Sequence, residues 1–282
     1  MKSFDDFPVT PSRTVDSQRF YEAFLRAQGM FDQVPESARG PNADRALHDL
    51  TLHLYDQQSK SGALFRATLG ASDGVIGFWL SRVRSIAEWL LVSREVPELV
   101  PPSAEYLRQF ALLSADIGGL SGLSERLLRS GIILVHQSAP SGARVDGCSF
   151  VLPTGHAVIG LSLRYARLDY YWFTLMHELS HLALHLDRLS TPIVDDLEES
   201  EETVVEQEAN RLASDSLIPR NLWRNCQVKY SLALNDVVSF AEEVGVAPQI
   251  VAGRLRNELH RHELFSALVH EVNVRERILG HA

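Results

Sequence analysis

Cysteine and long hydrophobic runs are scarce in this chain of 282 residues. Its two cysteines, Cys148 and Cys226, are too few for a disulfide framework and fit a reducing compartment. No run reaches the roughly eighteen apolar residues that a membrane helix needs, and the first residues lack the apolar centre of a signal peptide. We therefore expect a cytoplasmic protein with no membrane contact.

Positive charge is also in deficit. The chain has 27 Lys and Arg against 36 Asp and Glu, which gives a net charge of −9. This balance does not support wholesale binding of nucleic acid, although nucleic acid as a signal stays open. The hydrophobic share of 45% and the charged share of 22% are ordinary for a soluble globular protein, so the composition predicts a sizeable core.

The most informative segment is a His-Glu-x-x-His motif formed by His177, Glu178 and His181. On a helix, residues four apart share one face, so the two imidazoles can hold one metal ion. Zinc in hydrolases takes two imidazoles, a third protein ligand and a water molecule. A carboxylate beside that water can take its proton, so the motif predicts a zinc hydrolase with Glu178 as general base.

The surroundings of the motif predict that its helix is buried. The preceding segment, Val158–Leu163, has the composition of a short buried strand. A helix that is apolar nearly all round lies in a core, where paired imidazoles and a carboxylate need partners. A metal ion would supply those partners. The apolar residues around the motif are Phe173, Leu175, Met176, Leu179, Leu182 and Leu184.

The next helix candidate, 195–219, begins with an acidic run that is typical of a solvated helix start. Glu208 differs, because its helical neighbours Val204, Val205 and Leu212 place it on an apolar stripe. We therefore predict Glu208 as the third metal ligand. Glu206 is the rival, with Ala209 along its own face.

Cys148 offers a different ligand set, because thiolates also bind zinc. Peptide deformylases pair an upstream Gly-Cys with His-Glu-x-x-His, so Cys148, His177 and His181 form an alternative site. The chain lacks the glycine-rich strand motif of that family. A half-buried strand cysteine is the simpler interpretation of Cys148.

Together these segments resemble the ImmA/IrrE family of metallopeptidases. The resemblance lies in His177–His185, in Glu208-Ala-Asn-Arg-Leu-Ala and in Leu217-Ile-Pro219, and it is specific over about 115–219. It extends to the long members linked to HigA-type antitoxin regulators. It implies a zinc-dependent endopeptidase that cleaves helix-turn-helix repressors in a stress, phage-related or toxin–antitoxin setting. It also implies His177, His181 and Glu208 as ligands and Glu178 as base.

The chain departs from that family at its start, because residues 1–60 contain no recognisable helix-turn-helix. His185 matches a histidine that is frequent in the family, and we expect a supporting or surface role for it. The oxyanion-stabilising residue is not assigned; Tyr165, Tyr170 and Tyr171 are near in sequence, but tyrosines more often pack. The alternative function is a zinc-binding regulator that binds a repressor, toxin or nucleic acid without cutting it.

Hydrophobic periodicity predicts an α+β fold, mostly helical, with a sheet of three or more strands beside the zinc helix. Residues 1–100 are predicted to be an N-terminal helical region of unknown role, and 101–282 a zincin-like metallopeptidase domain with C-terminal helices. The boundary is the proline-containing stretch 95–102. The predicted helices are 14–31, 42–58, 72–92, 103–113 and 119–130, and the predicted strands are 132–136, 148–152 and 158–163, the last two joined as a hairpin.

Near the C-terminus, Asp236–Gly245 and Pro248–Leu259 have helix-turn-helix spacing. Any tight helix pair gives the same spacing, and Glu242 and Glu243 do not favour DNA. We therefore predict that this pair packs within the domain. The sequence does not indicate an oligomeric state.

Overall fold

The computed structural model describes residues 16–60, 73–195 and 203–280. Residues 196–202, which carry most of the predicted acidic run, lie outside the described residues. The helices are α1 Ser17–Phe31, α2 Glu36–Arg39, α3 Ala43–Lys60, α4 Asp73–Ser93, α5 Ala104–Ala111, α6 Leu123–Leu128, α7 Leu168–Leu184, α8 Val204–Leu217, α9 Arg220–Arg224, α10 Val228–Ser231, α11 Leu234–Val244, α12 Pro248–Glu258, α13 Ser266–Val269 and α14 Val274–Leu279. The strands are β1 Ile132–His136, β2 Gly147–Val151, β3 Ala157–Leu161 and β4 Ile193–Asp195.

These strands form one mixed sheet in the order β1-β3-β2-β4. β2 and β3 pair antiparallel as the predicted hairpin, and β1 lies parallel to β3. β4 extends the sheet beyond β2, where Asp195 pairs with Gly147. The three predicted strands are confirmed, and β4 is an addition that the sequence did not predict. The described sheet thus ends in β1 on one side and β4 on the other.

Each face of the sheet is covered by a long helix. Ile132 and Leu134 face the core that contains α7, whereas Ile133 and Val135 face α4, as the two-residue period of a strand requires. The α+β class with a small sheet beside the motif helix is confirmed. Because α4 and the sheet share one core, the stretch 95–102 that follows α4 does not separate two cores.

Helix α7 lies at the centre of the larger core. It packs against α5, α8 and α12 and against strands β2 and β3. Its first buried residue is Leu168 and its last is Leu182, and the side chains between them are buried on nearly every face. Large residues such as Trp172, Leu175 and Leu179 fix the helix against its neighbours, so the polar residues of the motif are held in a rigid setting.

The C-terminal helix pair packs inside the domain, which agrees with the packing interpretation. The first turn of α12 is buried, including Gln249, Ile250 and Val251. Farther along, Gly253 lies so close to Asp169 of α7 that a Cβ atom there would overlap the carboxylate. A recognition helix reads bases with residues near its N-terminus, and in α12 these residues are covered.

The N-terminal helices α1 and α3 pack with α4 around a third core that includes Ala23, Ala27, Leu50 and Phe78. Asp16 caps α1 by accepting hydrogen bonds from the amides of Gln18 and Arg19. None of the described helices combines the length and the apolar character that crossing a membrane requires.

A histidine at the end of β1 should make stability depend on pH. Nε2 of His136 lies 3.1 Å from the Tyr171 hydroxyl. Burial lowers the pKa of His136 from 6.5 to about 4. As pH falls below 6.5, the unfolded chain takes up a proton that the folded chain refuses until about pH 4, so stability is lost across this window.

We expect wild-type protein to lose about 2 kcal/mol more unfolding free energy than His136→Gln between pH 7 and about pH 4.5, measured by urea denaturation. His48→Gln, at an exposed position on α3, is the control and should follow the wild type. Equal losses in wild type and His136→Gln would show that His136 does not set this dependence.

Candidate metal centre

Two buried imidazoles of α7 face one another across one helical turn. His177 and His181 are both 0% exposed. Their Nε2 atoms lie 2.9 Å apart. The four-residue spacing on a helix brings the rings to the same face, as the sequence predicted.

Helix α8 supplies the third group, and it is Glu206. Its Oε2 atom lies 3.2 Å from Nε2 of His177 and 3.6 Å from Nε2 of His181. Glu206 is largely buried. Among the described residues, His177, His181 and Glu206 form a group of His, Cys, Asp or Glu side chains whose ligand atoms lie close enough together to hold one metal ion.

The spacing of these three atoms fits one metal ion. Donor atoms around a tetrahedral zinc at about 2.0–2.1 Å are about 3.3 Å apart from each other. The observed separations of 2.9, 3.2 and 3.6 Å bracket that value. Two imidazoles and one carboxylate are also the donor set of several catalytic zinc sites. The residues present therefore fit a zinc ion.

The outer nitrogens of both imidazoles have hydrogen-bond partners. Nδ1 of His177 lies 2.9 Å from the amide oxygen of Asn210, one turn beyond Glu206 on α8. Nδ1 of His181 lies 3.2 Å from Nδ1 of His185. Such partners fix the tautomer and the ring orientation of a ligating histidine. Asn210 was not predicted, although its position four residues after Glu206 places it on the same helix face.

The structure does not bring Glu208 to this cluster. Its side chain is 57% exposed, and its Oε2 atom lies 3.0 Å from Nε2 of His185. The predicted apolar stripe was wrong, because Val204 is 69% exposed. The buried face of α8 instead carries Glu206, Ala209 and Ala213. The small side chains of the two alanines fit the close packing of α8 against α7. Glu206, the rival, takes the place predicted for Glu208.

The Glu178 carboxylate lies against Gly147 of strand β2. Glu178 is 0% exposed. A Cβ atom at Gly147 would overlap Oε1 of Glu178 and lie 2.9 Å from its Cδ. It would also lie 3.0 Å from Cγ2 of Thr174. Glycine at position 147 therefore gives the carboxylate the space to lie against the strand, a requirement that the sequence alone did not reveal.

The alternative ligand Cys148 faces away from the site. It follows Gly147 on β2, and successive residues of a strand point to opposite faces. Its side chain lies in the α4 core, where a Cβ at Gly160 would approach its Sγ to 2.8 Å. The sheet thus separates the thiol from the imidazoles, so the alternative set of Cys148, His177 and His181 does not assemble.

The three tyrosines near the motif occupy packing positions. Tyr171 is buried beside His136, and burial raises the pKa of its hydroxyl. The rings of Tyr165 and Tyr170 pack at a tilt of 41°, with their centroids 4.4 Å apart. The Arg167 guanidinium lies over the Tyr170 ring at 4.9 Å. This arrangement agrees with the packing role expected of them.

The part of the chain that contains this cluster is similar to a known protein family. Residues 133–256 match the model of Peptidase_M78, described as the IrrE N-terminal-like domain. This span begins in β1, ends in α12 and includes all the residues of the cluster. No curated protein matches the chain. This match confirms the resemblance drawn from the sequence: residues 133–256 match the model of the ImmA/IrrE family, which is of metallopeptidase type.

Proposed function

We propose that this chain is a zinc-dependent endopeptidase that cleaves a regulatory protein, namely a helix-turn-helix repressor or antitoxin. The observation that carries the proposal is the convergence of His177 Nε2, His181 Nε2 and Glu206 Oε2, with the buried Glu178 directly after His177 on α7. The site combines a metal-binding trio with a separate carboxylate, which is the pairing that metal-assisted hydrolysis needs.

His177, His181 and Glu206 would hold the zinc ion. Three protein ligands leave a position for water or substrate, in contrast to the four ligands of a structural site. When bound there, zinc polarises the substrate carbonyl and lowers the pKa of a water molecule toward about 7. His177 and His181 are already oriented by their outer hydrogen bonds, so little reorganisation is needed on binding.

Glu178 is the proton carrier in this proposal. Its carboxylate takes the proton of the attacking water and delivers it to the leaving amine nitrogen. Glu178 directly follows the proposed ligand His177 on α7, and Gly147 leaves the space for its carboxylate to lie against β2.

The sheet suggests how a peptide would approach. In the part of the sheet that the structure describes, β4 is the edge strand next to β2. Its residue Asp195 pairs with Gly147, the glycine that contacts Glu178. An extended peptide can add to a sheet edge through backbone hydrogen bonds. Binding along β4 would bring a substrate backbone to the side of the sheet that faces the metal cluster.

The substrate class rests on the family resemblance. Members of the ImmA/IrrE family are expected to act on helix-turn-helix repressors, and the stress, phage-related or toxin–antitoxin setting follows from the same resemblance. The net charge of −9 gives no support for nucleic acid as a direct partner. A protein substrate is therefore the partner we propose.

Two measurements test the proposal. Purified protein should contain zinc near one ion per chain, by elemental analysis, or take it up after dialysis. Co-expression with the helix-turn-helix repressors of the same genome, one at a time, should then yield a cut repressor that mass spectrometry identifies. Protein that neither contains nor binds zinc would remove the premise. Repressor bound but never cut would favour the non-catalytic regulator.

A further inference from the structure

His185, just past the end of α7, connects a metal ligand to an exposed carboxylate. Its Nδ1 atom lies 3.2 Å from Nδ1 of His181, and its Nε2 atom lies 3.0 Å from Oε2 of Glu208. His185 itself is buried, whereas the Glu208 side chain is 57% exposed. The three side chains therefore form one continuous row from the surface of α8 to the metal cluster.

The hydrogen atoms of this row follow from the chemistry of the imidazole ring. His181 directs Nε2 toward Glu206 and His177, so a neutral His181 that binds metal through Nε2 carries its proton on Nδ1. Nδ1 of His185 lies 3.2 Å from that nitrogen and accepts its proton. The proton of His185 then sits on Nε2 and is donated to the Glu208 carboxylate.

We propose that Glu208 and His185 are positioning residues that fix the tautomer and the ring orientation of His181 for metal binding. The inference rests on the proposed zinc site. It gives the two histidine ligands different supports: a neutral amide, Asn210, holds His177, and a carboxylate acting through His185 holds His181.

If the contact between Glu208 and His185 were only a structural ion pair, its loss would affect folding stability rather than zinc affinity. A pair with one partner as exposed as Glu208 contributes little to folding stability. Replacement of Glu208 should therefore leave thermal unfolding of the zinc-free protein almost unchanged. Zinc affinity should fall, because outer partners of metal-ligating histidines typically change it by about 10–100-fold.

The experiment measures zinc affinity by competition with a chromophoric chelator. We expect Glu208→Ala to weaken zinc binding by about 10–100-fold, and Glu208→Gln by less, because its amide oxygen still accepts from Nε2 of His185. Asp215→Ala is the matched control, because it removes a carboxylate from the same helix. Among the described residues, Asp215 forms an ion pair with Arg211 at 4.0 Å. This variant should bind zinc as the wild type does.

A double-mutant cycle separates support through His185 from direct ligation. If Glu208 acts through His185, Glu208→Ala should have no further effect on zinc affinity in a His185→Phe background. An equal loss in both backgrounds would identify Glu208 as acting on zinc directly and would overturn the inference. Full wild-type affinity in Glu208→Ala would overturn it too, while the zinc site itself would stand.

Nitrogen NMR of the zinc-free protein tests the row without metal. We expect the His185 ring signals to be those of the tautomer protonated at Nε2, and to change in Glu208→Ala but not in Asp215→Ala. A His185 ring protonated at Nδ1 would contradict the proposed direction. This measurement does not require zinc. If the chain binds no zinc, the proposed function fails, and the NMR spectra alone decide whether the hydrogen-bonded row exists.

Discussion

Glu178→Gln should slow peptide cleavage by orders of magnitude and leave zinc binding intact. The carboxamide has the size of the carboxylate, so it fits the space beside Gly147, but it cannot accept the proton of an attacking water. A general base contributes about 10²–10⁴-fold to a rate, and cleavage of the repressor should fall by that amount. Because Glu178 is not one of the three clustered donors, zinc content and affinity should be unchanged.

The control for this variant is Asp187→Asn, which removes one carboxylate from an exposed position just after α7. It should cleave at the wild-type rate. Loss of zinc in Glu178→Gln would mean that the carboxylate supports the metal rather than the proton transfer. Full regulatory activity in Glu178→Gln would show that the chain acts by binding, and the peptidase proposal would fail.

Strand β1 and helix α7 were predictable from sequence because their patterns allow one interpretation. Ile132–Val135 is a continuous apolar run of strand length, and the observed β1 has the predicted bounds. Helix α7 is apolar on nearly every face, which only a buried helix satisfies. In both cases local composition alone determines the environment.

Strand β4 could not be predicted in the same way. It has three residues, Ile193–Asp195, and its partner β2 is more than forty residues earlier in the chain. So short a segment has no measurable period, and its pairing depends on a sheet that is already formed. The parallel pairing of β1 with β3 is likewise a property of topology rather than of either strand.

The choice between Glu206 and Glu208 shows the limit of helix periodicity. The sequence interpretation favoured the face with Val204 and Leu212, because these apolar neighbours of Glu208 were expected to face the core. Two helices that pack closely instead place small residues at the contact, and here these are Ala209 and Ala213. The pattern located the helix but not its rotation, and the rotation decides which carboxylate faces the metal cluster.

Glu206→Gln should reduce zinc affinity more than any change at Glu208. Glu206 Oε2 is one of three converging donor atoms, whereas Glu208 reaches the site only through His185. Loss of a ligand charge should exceed the roughly 100-fold upper end of the effect of an outer partner. The same chelator competition measures both variants, so the ratio of their affinities is the deciding quantity.

The alternative role of Glu206 is to cap its helix. It is the third residue after the N-cap Thr203, whose hydroxyl accepts from the Glu206 amide at 3.3 Å, and a glutamate at this position can bond back to the N-cap amide. Glutamine can make the same bond, so Glu206→Gln removes the charge and keeps the cap. Thermal unfolding of the zinc-free variant should match the wild type. If Glu206→Gln bound zinc as tightly as the wild type, Glu206 would serve only to cap α8. Glu208 would then be the candidate for the third ligand.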